Sequence, residues 1–393
     1  MSYKFDEIID RKNHNSAKWD EMNMNFGEEN LLPMWIADMD FRVAPEIVKA
    51  MENKLSQGIF GYSSRPKSYY KSAINWSKNR YNLSIDMDSI IHSPGVMTTV
   101  SIILDTLVKD EEKILVQTPV YPGFIHCIEN NNKIIVENQL IQREDKSWEI
   151  DFEDFEDKIK SENIKWFMLC NPHNPVGRVW TKEELQRMAD ICLKYNVRVI
   201  SDEIWRDLVF ENHKFTSMAS LSKEVEQITI TCFSPTKTFN LAGLQASFGV
   251  FPIKEEKDIV ENKLIQLSIK RNNSMSLVAM EAAYNEGENW LDECKKYIEG
   301  NMNFVIDYAK KNIKNIHISK PEGTYLLWVD FTKLKSSHEE IKRVLLEEGK
   351  IALSSGTDFG KSGEKFFRMN VACPRKMVED GIKRIEKAVN ILV

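Results

Sequence analysis

Short apolar runs alternate with helix-like segments through the middle of this chain, and this alternation limits the possible folds more than any other feature. The runs are residues 113–117, 133–136, 164–170, 197–200 and 228–233. Before the fourth run, Thr181 and Glu184 form a capping-box pattern that opens a helix with apolar side chains at helical spacing. Strands that read as continuous apolar runs are buried on both faces. The pattern therefore predicts an α/β fold with a mainly parallel central sheet covered by helices.

The character of the sequence changes near residue 281. The predicted elements are two long polar helices over 290–312, a strand at 324–331, a helix at 339–348, strands near 351 and at 366–371, and a helix at 375–391. This mixture predicts a smaller α+β domain. We expect residues 46–280 to form the large domain, and residues 1–45 to pack with residues 281–393 in the small one.

The composition is that of an ordinary globular protein, with 42% hydrophobic and 28% charged residues among 393. A formal net charge of −6 argues against nucleic acid as a partner. The polar N-terminus and the lack of a long apolar stretch predict no export signal and no membrane partner. Six scattered cysteines without a C-x-x-C pair predict a cytoplasmic protein without disulfides, and we expect no metal site.

Polar residues follow three of the predicted strands. Asn171, Asp202 and Ser234 each come directly after an apolar run. Because ligands of open α/β sheets bind at the carboxyl ends of the strands, these residues are expected in one crevice.

Lys237 lies in the hydroxyl-rich run Ser234-Pro-Thr236-Lys237-Thr238. An amine that holds an aldehyde as an imine, hydroxyls for a phosphate, and a carboxylate for a pyridinium nitrogen are what pyridoxal phosphate (PLP) requires. Lys237 would also move the Cα proton of an amino acid substrate, and Asp202 would keep the pyridine ring protonated. The alternatives are a surface lysine in a loop and a carboxylate that caps a turn.

Further residues would complete the cofactor site. Asn171 would donate to the phenolic oxygen, and Tyr121 would lie flat on the pyridine ring as part of the catalytic group. Small residues at the start of a helix favour an anion, so a phosphate is expected at the backbone of Gly95, Val96 and Met97. The alternatives are turn chemistry for Asn171, a buried turn aromatic for Tyr121, and plain helix capping for the glycine.

Arg368 lies within the apolar strand Phe366-Phe-Arg-Met-Asn370. A buried charge needs a partner. A bidentate bond to the α-carboxylate of a substrate is one solution, and an internal salt bridge is the other.

Several motifs together resemble one enzyme family across nearly the whole chain. They are Pro33-Met-Trp-Ile-Ala-Asp-Met-Asp-Phe41, Gly61-Tyr62, Asn171-Pro-His-Asn-Pro-Val-Gly177, Ser201-Asp-Glu-Ile204, Ser234-Pro-Thr-Lys-Thr-Phe-Asn-Leu-Ala-Gly-Leu-Gln245 and Pro321-Glu-Gly-Thr-Tyr325. The chain resembles the fold type I PLP enzymes of the class I/II aminotransferase superfamily. Within it, the opening motif and the Ala-Gly-Leu-Gln stretch resemble the cystathionine β-lyase, or carbon–sulfur lyase, branch.

The resemblance implies a PLP-dependent transferase fold and a homodimer whose active sites are shared. Tyr62 would then reach the phosphate bound by the neighbouring subunit, and Tyr62 and Asn171 would join Arg368 around the substrate. The implied reaction is β-elimination of a sulfur-containing L-amino acid to thiol, pyruvate and ammonia. The alternatives are an amino acid aminotransferase and a PLP-binding regulator that acts through a protein partner.

Two positions refine the comparison with this family. Gln245 replaces the arginine that aminotransferases place near the phosphate, as in the lyase branch. Trp205 replaces a histidine that is common in that branch, and a large indole there would reshape the pocket for the leaving group.

Overall fold

The computed structural model describes residues 3–393. Within them the strands, numbered in chain order, are β1 Leu32–Pro33, β2 Ile90–Ser93, β3 Lys113–Thr118, β4 Ile134–Gln139, β5 Ile141–Gln142, β6 Trp148–Glu149, β7 Trp166–Cys170, β8 Arg198–Asp202, β9 Thr229–Phe233, β10 Ser247–Val250, β11 His317–Ile318, β12 Leu326–Asp330, β13 Ile351–Ala352, β14 Ser354–Ser355 and β15 Phe366–Asn370. Met1 and Ser2, which belong to the polar N-terminus discussed above, lie outside the described residues.

The α-helices are numbered in the same way. They are α1 Ala17–Asp20, α2 Met22–Phe26, α3 Pro45–Ser56, α4 Lys67–Tyr81, α5 Val96–Leu107, α6 Pro122–Asn130, α7 Phe152–Ser161, α8 Lys182–Tyr195, α9 Lys223–Ile228, α10 Lys254–Gln266, α11 Ser274–Glu286, α12 Glu288–Asn312, α13 His338–Glu347 and α14 Arg375–Leu392.

The largest sheet has seven strands in the order β2-β10-β9-β8-β7-β3-β4. Strands β9, β8, β7, β3 and β4 run parallel, whereas β10 is antiparallel to both of its neighbours. The predicted α/β fold with a mainly parallel sheet is confirmed. The five apolar runs all form strands of this sheet, with ends that differ by at most three residues from the prediction.

Each central strand contributes side chains to two separate hydrophobic cores, because successive side chains point to opposite faces of a sheet. In β7, Phe167 and Leu169 pack with helices α7 and α8, while Trp166 and Met168 pack with helices α5 and α10. Full burial of each such side chain stabilises the fold by about 1.5–3 kcal/mol. The continuous apolar pattern of these strands is thus the result of burial on both faces.

Helix α8 begins at the predicted capping box. The Thr181 hydroxyl accepts a hydrogen bond from the Glu184 backbone N–H at 3.1 Å, and the Glu184 carboxylate accepts one from the Thr181 N–H at 2.8 Å. The helix ends at Asn196, which takes the left-handed conformation with a φ of 56°. These caps fix both ends of helix α8. They therefore fix the point at which the chain enters β8, the strand that ends at Asp202.

A second, antiparallel sheet of order β11-β12-β15-β14 forms in the C-terminal part. The N-terminal strand β1 pairs in parallel with β13, so that Leu32 lies opposite Ile351. The division into residues 46–280 and residues 1–45 plus 281–393 stays a prediction.

One expectation for this region is wrong. Residues 290–312 form a single helix, α12, rather than two. Apolar side chains recur at helical spacing along its whole length, and Gly300 in its middle does not interrupt it because no proline or cap accompanies that glycine.

Three further properties concern residues 3–393 as a whole. None of their helices is both long and apolar enough to cross a bilayer. No cluster of three or more His, Cys, Asp or Glu side chains among them could hold a metal ion. The six cysteines are free thiols.

Candidate active site

Three polar residues meet where parallel strands end. Asn171 follows β7, Asp202 is the last residue of β8, and Ser234 follows β9. The strand register places Cys170 beside Asp202, and Asp202 beside Cys232. The structure therefore brings the ends of the three strands to one edge of the sheet, where open α/β proteins bind ligands.

A cavity of about 210 Å³ opens at this edge. Its lining residues include seven of the predicted site residues and several others: Ala37, Pro94, Gly95, Val96, Met97, Tyr121, Cys170, Asn174, Asp202, Ile204, Trp205, Thr236, Lys237, Ala242, Gln245 and Ala246. Asn171 and Ser234 lie beside the lining residues in sequence but do not line the cavity themselves.

Lys237 reaches across the cavity to the main chain of another segment. Its Nζ atom donates a hydrogen bond to the carbonyl oxygen of Ala37 at 2.7 Å. Burial, followed by the positive charge of Arg368, lowers the pKa of Lys237 to about 8, although Asp38 and Asp202 oppose this effect. A lysine with a pKa near neutrality can serve as nucleophile and as proton carrier.

Asp202 is a buried carboxylate without a cationic contact. Its Oδ1 atom accepts a hydrogen bond from the Ile204 backbone N–H at 3.0 Å, and among residues 3–393 it forms no ion pair. Burial raises the pKa of Asp202 to about 7, against the smaller effects of that hydrogen bond and of Lys237. A protonated ring nitrogen at this carboxylate would supply the missing charge partner.

The start of helix α5 lines the cavity. Its N-cap, Gly95, has no side chain to cap the helix, and Gly95, Val96 and Met97 all line the cavity. Thr236 adds a hydroxyl to the same cavity, whereas the Ser234 hydroxyl donates to the Ala246 carbonyl at 2.6 Å. Free N–H groups at a helix start bind phosphates.

Asn171 is fully buried, and its two amide atoms are used unequally. Its Nδ2 atom donates to the Thr216 carbonyl at 3.0 Å, while its Oδ1 atom is buried without a hydrogen-bond partner. An unpaired buried oxygen is costly. The predicted donation to a phenolic oxygen requires the amide to turn by 180°, so that the NH₂ group points away from Thr216.

Tyr121 lines the cavity at the start of helix α6. Gly123 makes room for its ring, because a Cβ atom at that position would lie 2.3 Å from the Cε1 atom of Tyr121. Burial raises the pKa of Tyr121, so its phenol stays neutral. The ring is thus a flat, uncharged wall next to the carboxylate of Asp202.

Arg368 is buried in the middle of β15 and has no acidic partner. Its guanidinium donates to the Trp35 carbonyl at 2.9 Å, to Asn174 Oδ1 at 3.1 Å and to Ser354 Oγ at 3.2 Å. Its Nε atom has no partner, and none of its contacts among residues 3–393 is an ion pair. The alternative of an internal salt bridge is therefore wrong, and burial lowers the pKa of Arg368 to about 10.

Tyr62 does not reach this cavity within one chain. Its side chain is 96% exposed, and it lies near Arg271, whose guanidinium is 5.6 Å from the centre of the tyrosine ring. A contact between Tyr62 and a bound phosphate would need a second copy of the chain.

The segment from Trp35 to Phe41 contributes more to the site than its sequence indicated. The carbonyls of Trp35 and Ala37 accept hydrogen bonds from Arg368 and Lys237 respectively. The signal for this was the resemblance of the opening motif, which does not reveal that main-chain atoms are involved. The sequence also did not reveal that Asn174 contacts Arg368, or that Tyr325 donates to the carbonyl of Ala37, which Lys237 also binds.

A buried ionic cluster holds this segment in place. The Asp40 carboxylate accepts hydrogen bonds from Lys18 at 2.5 Å, from Arg11 at 2.6 Å and from the Trp19 indole at 3.0 Å. Lys18 and Asp40 are only 1% and 3% exposed. Despite burial, the carboxylates raise the pKa of Lys18, and the cations lower that of Asp40. The pair is therefore fully ionised.

The donor set of the cavity fits PLP. An amine, a buried carboxylate, a helix start and a threonine hydroxyl surround a space bounded by the apolar rings of Tyr121 and Trp205. The uncompensated carboxyl of Asp202 lies at the end of the parallel strands. These residues match the three kinds of group that PLP requires from a protein.

Comparisons with known proteins agree with this geometry. Residues 29–385 match the model of the family aminotransferase class I and II. Cystathionine beta-lyase PatB of Bacillus subtilis (strain 168) is 39% identical over 391 residues, which cover 98% of this chain and 100% of the relative.

Solved structures are similar over the same length. A PLP-bound candidate aminotransferase from Clostridium difficile 630 has a TM-score of 0.97 and 48% identity, covering 99% of this chain and 100% of that chain. Cystalysin from Treponema denticola, which contains a pyridoxal 5′-phosphate cofactor, has a TM-score of 0.96 and 33% identity, with 100% of both chains covered.

Proposed function

Because this chain belongs to the aminotransferase class I and II family of PLP-dependent enzymes, we propose that it is a carbon–sulfur lyase. It would cleave sulfur-containing L-amino acids by β-elimination, giving a thiol, pyruvate and ammonia. The names of PatB and of other relatives, among them a cystathionine beta-lyase of Corynebacterium glutamicum, support this reaction. The observation that carries the proposal is the arrangement of Lys237 and Asp202 around one cavity, with the unpaired Arg368 close to Lys237.

Residues of this chain would hold the cofactor at several points. Lys237 would bind its aldehyde, Asp202 its ring nitrogen, and the start of helix α5 with Thr236 its phosphate. When bound, PLP supplies an electron sink for the pair left at Cα after a proton is removed. Tyr121 and Asn171 would complete the contacts to the ring.

Arg368 would bind the carboxylate of the amino acid. Its guanidinium is buried, and its present partners are a carbonyl, a hydroxyl and an amide oxygen rather than an anion. A bidentate bond to a carboxylate would pair the charge and fix the rotation of the substrate about Cα. This contact would hold the Cα–H bond in a constant direction toward Lys237.

Lys237 would act as the base. Its lowered pKa leaves a useful fraction of neutral amine near pH 8, which can accept the Cα proton. The C–S bond electrons leave with the sulfur as a thiolate, a double bond forms between Cα and Cβ, and the released enamine hydrolyses to pyruvate and ammonia. Ile204 and Trp205 line the same cavity and would limit the access of water.

Transamination is the second candidate, because the similar structure from Clostridium difficile is named as an aminotransferase. Lys237 is the one basic side chain among the lining residues, all of which the structure describes, and Gln245 is uncharged. A dicarboxylate substrate would need a further cation for its second carboxylate. A regulator that acts through a protein partner is the third candidate, and ordinary turnover of an amino acid would count against it.

A homodimer is part of the proposal. Large apolar side chains near Tyr62 are exposed, including Leu55, Ile59 and Phe60. A second copy that covered them could bring its own Tyr62 to the phosphate site. We also propose that the enzyme works in the cytoplasm, where free thiols persist.

The reaction is tested with the PLP-loaded protein and a panel of L-cystathionine, L-cystine and L-cysteine, scored for pyruvate and thiol. We expect pyruvate in proportion to thiol over many turnovers. Lasting conversion of the cofactor to its pyridoxamine form without pyruvate would instead establish transamination.

The carboxylate contact is tested by Arg368→Met. We expect KM for an L-amino acid to rise about 100-fold, because a buried charged hydrogen-bond donor to the substrate is lost. The matched control is a substrate analogue that lacks the carboxylate, whose binding should not weaken in the variant. An unchanged KM for the amino acid would remove Arg368 from the site.

A further inference from the structure

The carbonyl oxygen of Ala37 accepts two hydrogen bonds. One comes from Lys237 Nζ at 2.7 Å, and the other comes from the Tyr325 hydroxyl at 2.9 Å. Tyr325 is 1% exposed and precedes strand β12 of the smaller sheet. The two donors therefore share one acceptor in a partly buried site.

This acceptor is held rigidly by its neighbours along the chain. The Asn370 side-chain amide donates to the carbonyls of Ile36 and Asp38 at 2.7 and 2.6 Å. The backbone on either side of Ala37 is thus fixed, so its carbonyl cannot swing to favour one donor. A change in the strength of one of these two hydrogen bonds therefore alters the strength of the other.

Trp205 completes the surroundings of the amine. Its ring packs edge to face on Tyr325, with 4.8 Å between the ring centres, and Lys237 Nζ lies 5.7 Å from the centre of the indole ring. An aromatic face at this distance attracts an ammonium group. Trp205 therefore stabilises the protonated amine.

We propose that Tyr325 is a positioning residue for Lys237. Its hydroxyl weakens the hydrogen bond between the Lys237 ammonium and the Ala37 carbonyl, and so increases the neutral fraction of the amine. The proposal rests on the function given above, in which Lys237 must be neutral to bind the cofactor and to take a proton. The carbonyl oxygen can accept both bonds, but a hydroxyl proton directed at it withdraws electron density and so weakens its hydrogen bond to the ammonium. This weakening disfavours the charged lysine more than the neutral one, because the charged donor forms the stronger hydrogen bond.

Other charged groups also face the lysine, and they set the background for this effect. Arg368 approaches from β15 and disfavours the ammonium, whereas Asp202 from β8 and Asp38 from the opening segment favour it. Burial is the largest effect and brings the pKa of Lys237 to about 8. None of these groups is altered when the Tyr325 hydroxyl is removed.

The test is the pH dependence of imine formation in full-length protein freed of cofactor. Neutral Lys237 attacks the aldehyde of added PLP, the C–N bond forms and water leaves, so the rate of rise of the visible imine absorbance follows the neutral fraction of the amine. We expect the midpoint of this rate profile to move up by about 0.5 pH unit in Tyr325→Phe, because the ammonium then forms the one remaining side-chain hydrogen bond to the Ala37 carbonyl, and that bond is stronger. Below the midpoint the variant should react about threefold more slowly.

Tyr69→Phe is the matched control. Tyr69 is another fully buried tyrosine whose hydroxyl is hydrogen-bonded, at 3.0 Å to His92 Nδ1, and it does not line the cavity. Its loss should lower the melting temperature without moving the midpoint. An equal shift in both variants, or none in Tyr325→Phe, would overturn the proposal.

Trp205→Leu provides a second arm that does not depend on the folding of Tyr325→Phe. Removal of the aromatic face should lower the midpoint, opposite in sign to the tyrosine variant. A rise or no change would contradict the proposed surroundings of the amine. If the unaltered protein forms no imine at Lys237 that hydride can reduce, the proposed function itself fails, which is a different result from an unchanged midpoint.

Discussion

The two walls of the cavity are built in different ways. On the wall at the sheet edge, side chains at the ends of parallel strands supply the chemistry, as Asp202 and Lys237 do. On the opposite wall, the irregular segment from Trp35 to Phe41 supplies main-chain carbonyls to Lys237 and Arg368. In the proposed reaction, the first wall would act on the substrate and the second would orient the reacting groups.

This difference determines what each wall depends on. The strand ends are fixed by burial on both faces of the sheet, so single changes there should affect chemistry more than folding. The opening segment has little regular structure and depends on the buried pair of Lys18 and Asp40. Changes there should affect folding first. Four substitutions test this contrast, in order of decreasing effect.

Lys237→Ala should abolish the imine and reduce turnover by about 10²–10⁴-fold or more, because both the anchor and the base are lost. The measurement is visible absorbance before and after hydride reduction, together with pyruvate formation. Lys133→Ala is the control, since Lys133 is also buried but pairs with Asp110 away from the cavity. Persistence of a reducible imine in the Lys237 variant would show that the anchor lies elsewhere.

Asp40→Asn should destabilise the protein by about 3–5 kcal/mol, because it leaves Lys18 and Arg11 without their buried charge partner. The free energy of unfolding in urea measures this. Asp110→Asn is the matched control, because the carboxylate of Asp110 is 84% exposed and such a pair contributes about 0–1 kcal/mol. Similar losses in both variants would mean that the segment does not depend on the buried pair.

Asp202→Asn should make the cofactor-free protein more stable at pH 8. The folded-state pKa of about 7 lies above the unfolded value, so the folded protein loses stability as pH rises through 7. The variant lacks this loss, which amounts to on the order of 2–4 kcal/mol, and its advantage should fade toward pH 4. Glu203, whose pKa burial also raises to about 7, remains in both proteins and cancels in the difference.

Melting temperatures of the two cofactor-free proteins across that pH range measure the effect. In the PLP-loaded protein the order should reverse at pH 8, because an amide cannot pair with a protonated ring nitrogen. A difference in melting temperature that is the same at all pH values would mean that burial does not raise the pKa of Asp202.

Trp205→His should change selectivity. The smaller ring enlarges the space beside Lys237, so the preference for cystathionine over cysteine, as a ratio of kcat/KM values, should rise about tenfold. Trp205→Phe, which stays apolar, separates the effect of size from that of polarity. Equal ratios in all three proteins would mean that the leaving group does not contact this side chain.

The sequence predicted the wall of strands well, because burial on two faces leaves a continuous apolar pattern that ends at polar residues. The fold class, the family and the PLP cofactor are confirmed. The roles assigned to single residues, such as Tyr121 and Asn171, stay predictions.

The opposite wall could not be predicted in the same way. A carbonyl such as that of Ala37 is present in every residue, so nothing in the sequence marks the one that binds Lys237. The single long helix α12 was divided wrongly, since polar residues on its exposed side obscured a continuous apolar stripe. Tyr62 could be placed only by resemblance, because its expected contact lies outside one chain.

The bond from Arg368 to the Trp35 carbonyl joins residues 333 positions apart. A ribosome that adds about 5–20 residues per second needs roughly 20 s or more to pass from one to the other. Within that interval the strands that hold Asp202 and Lys237 are completed, whereas the arginine is added only at its end. A nascent or stalled chain can therefore contain Lys237 before it contains Arg368, so the proposed contact with the substrate carboxylate would be the last part of the site that synthesis supplies.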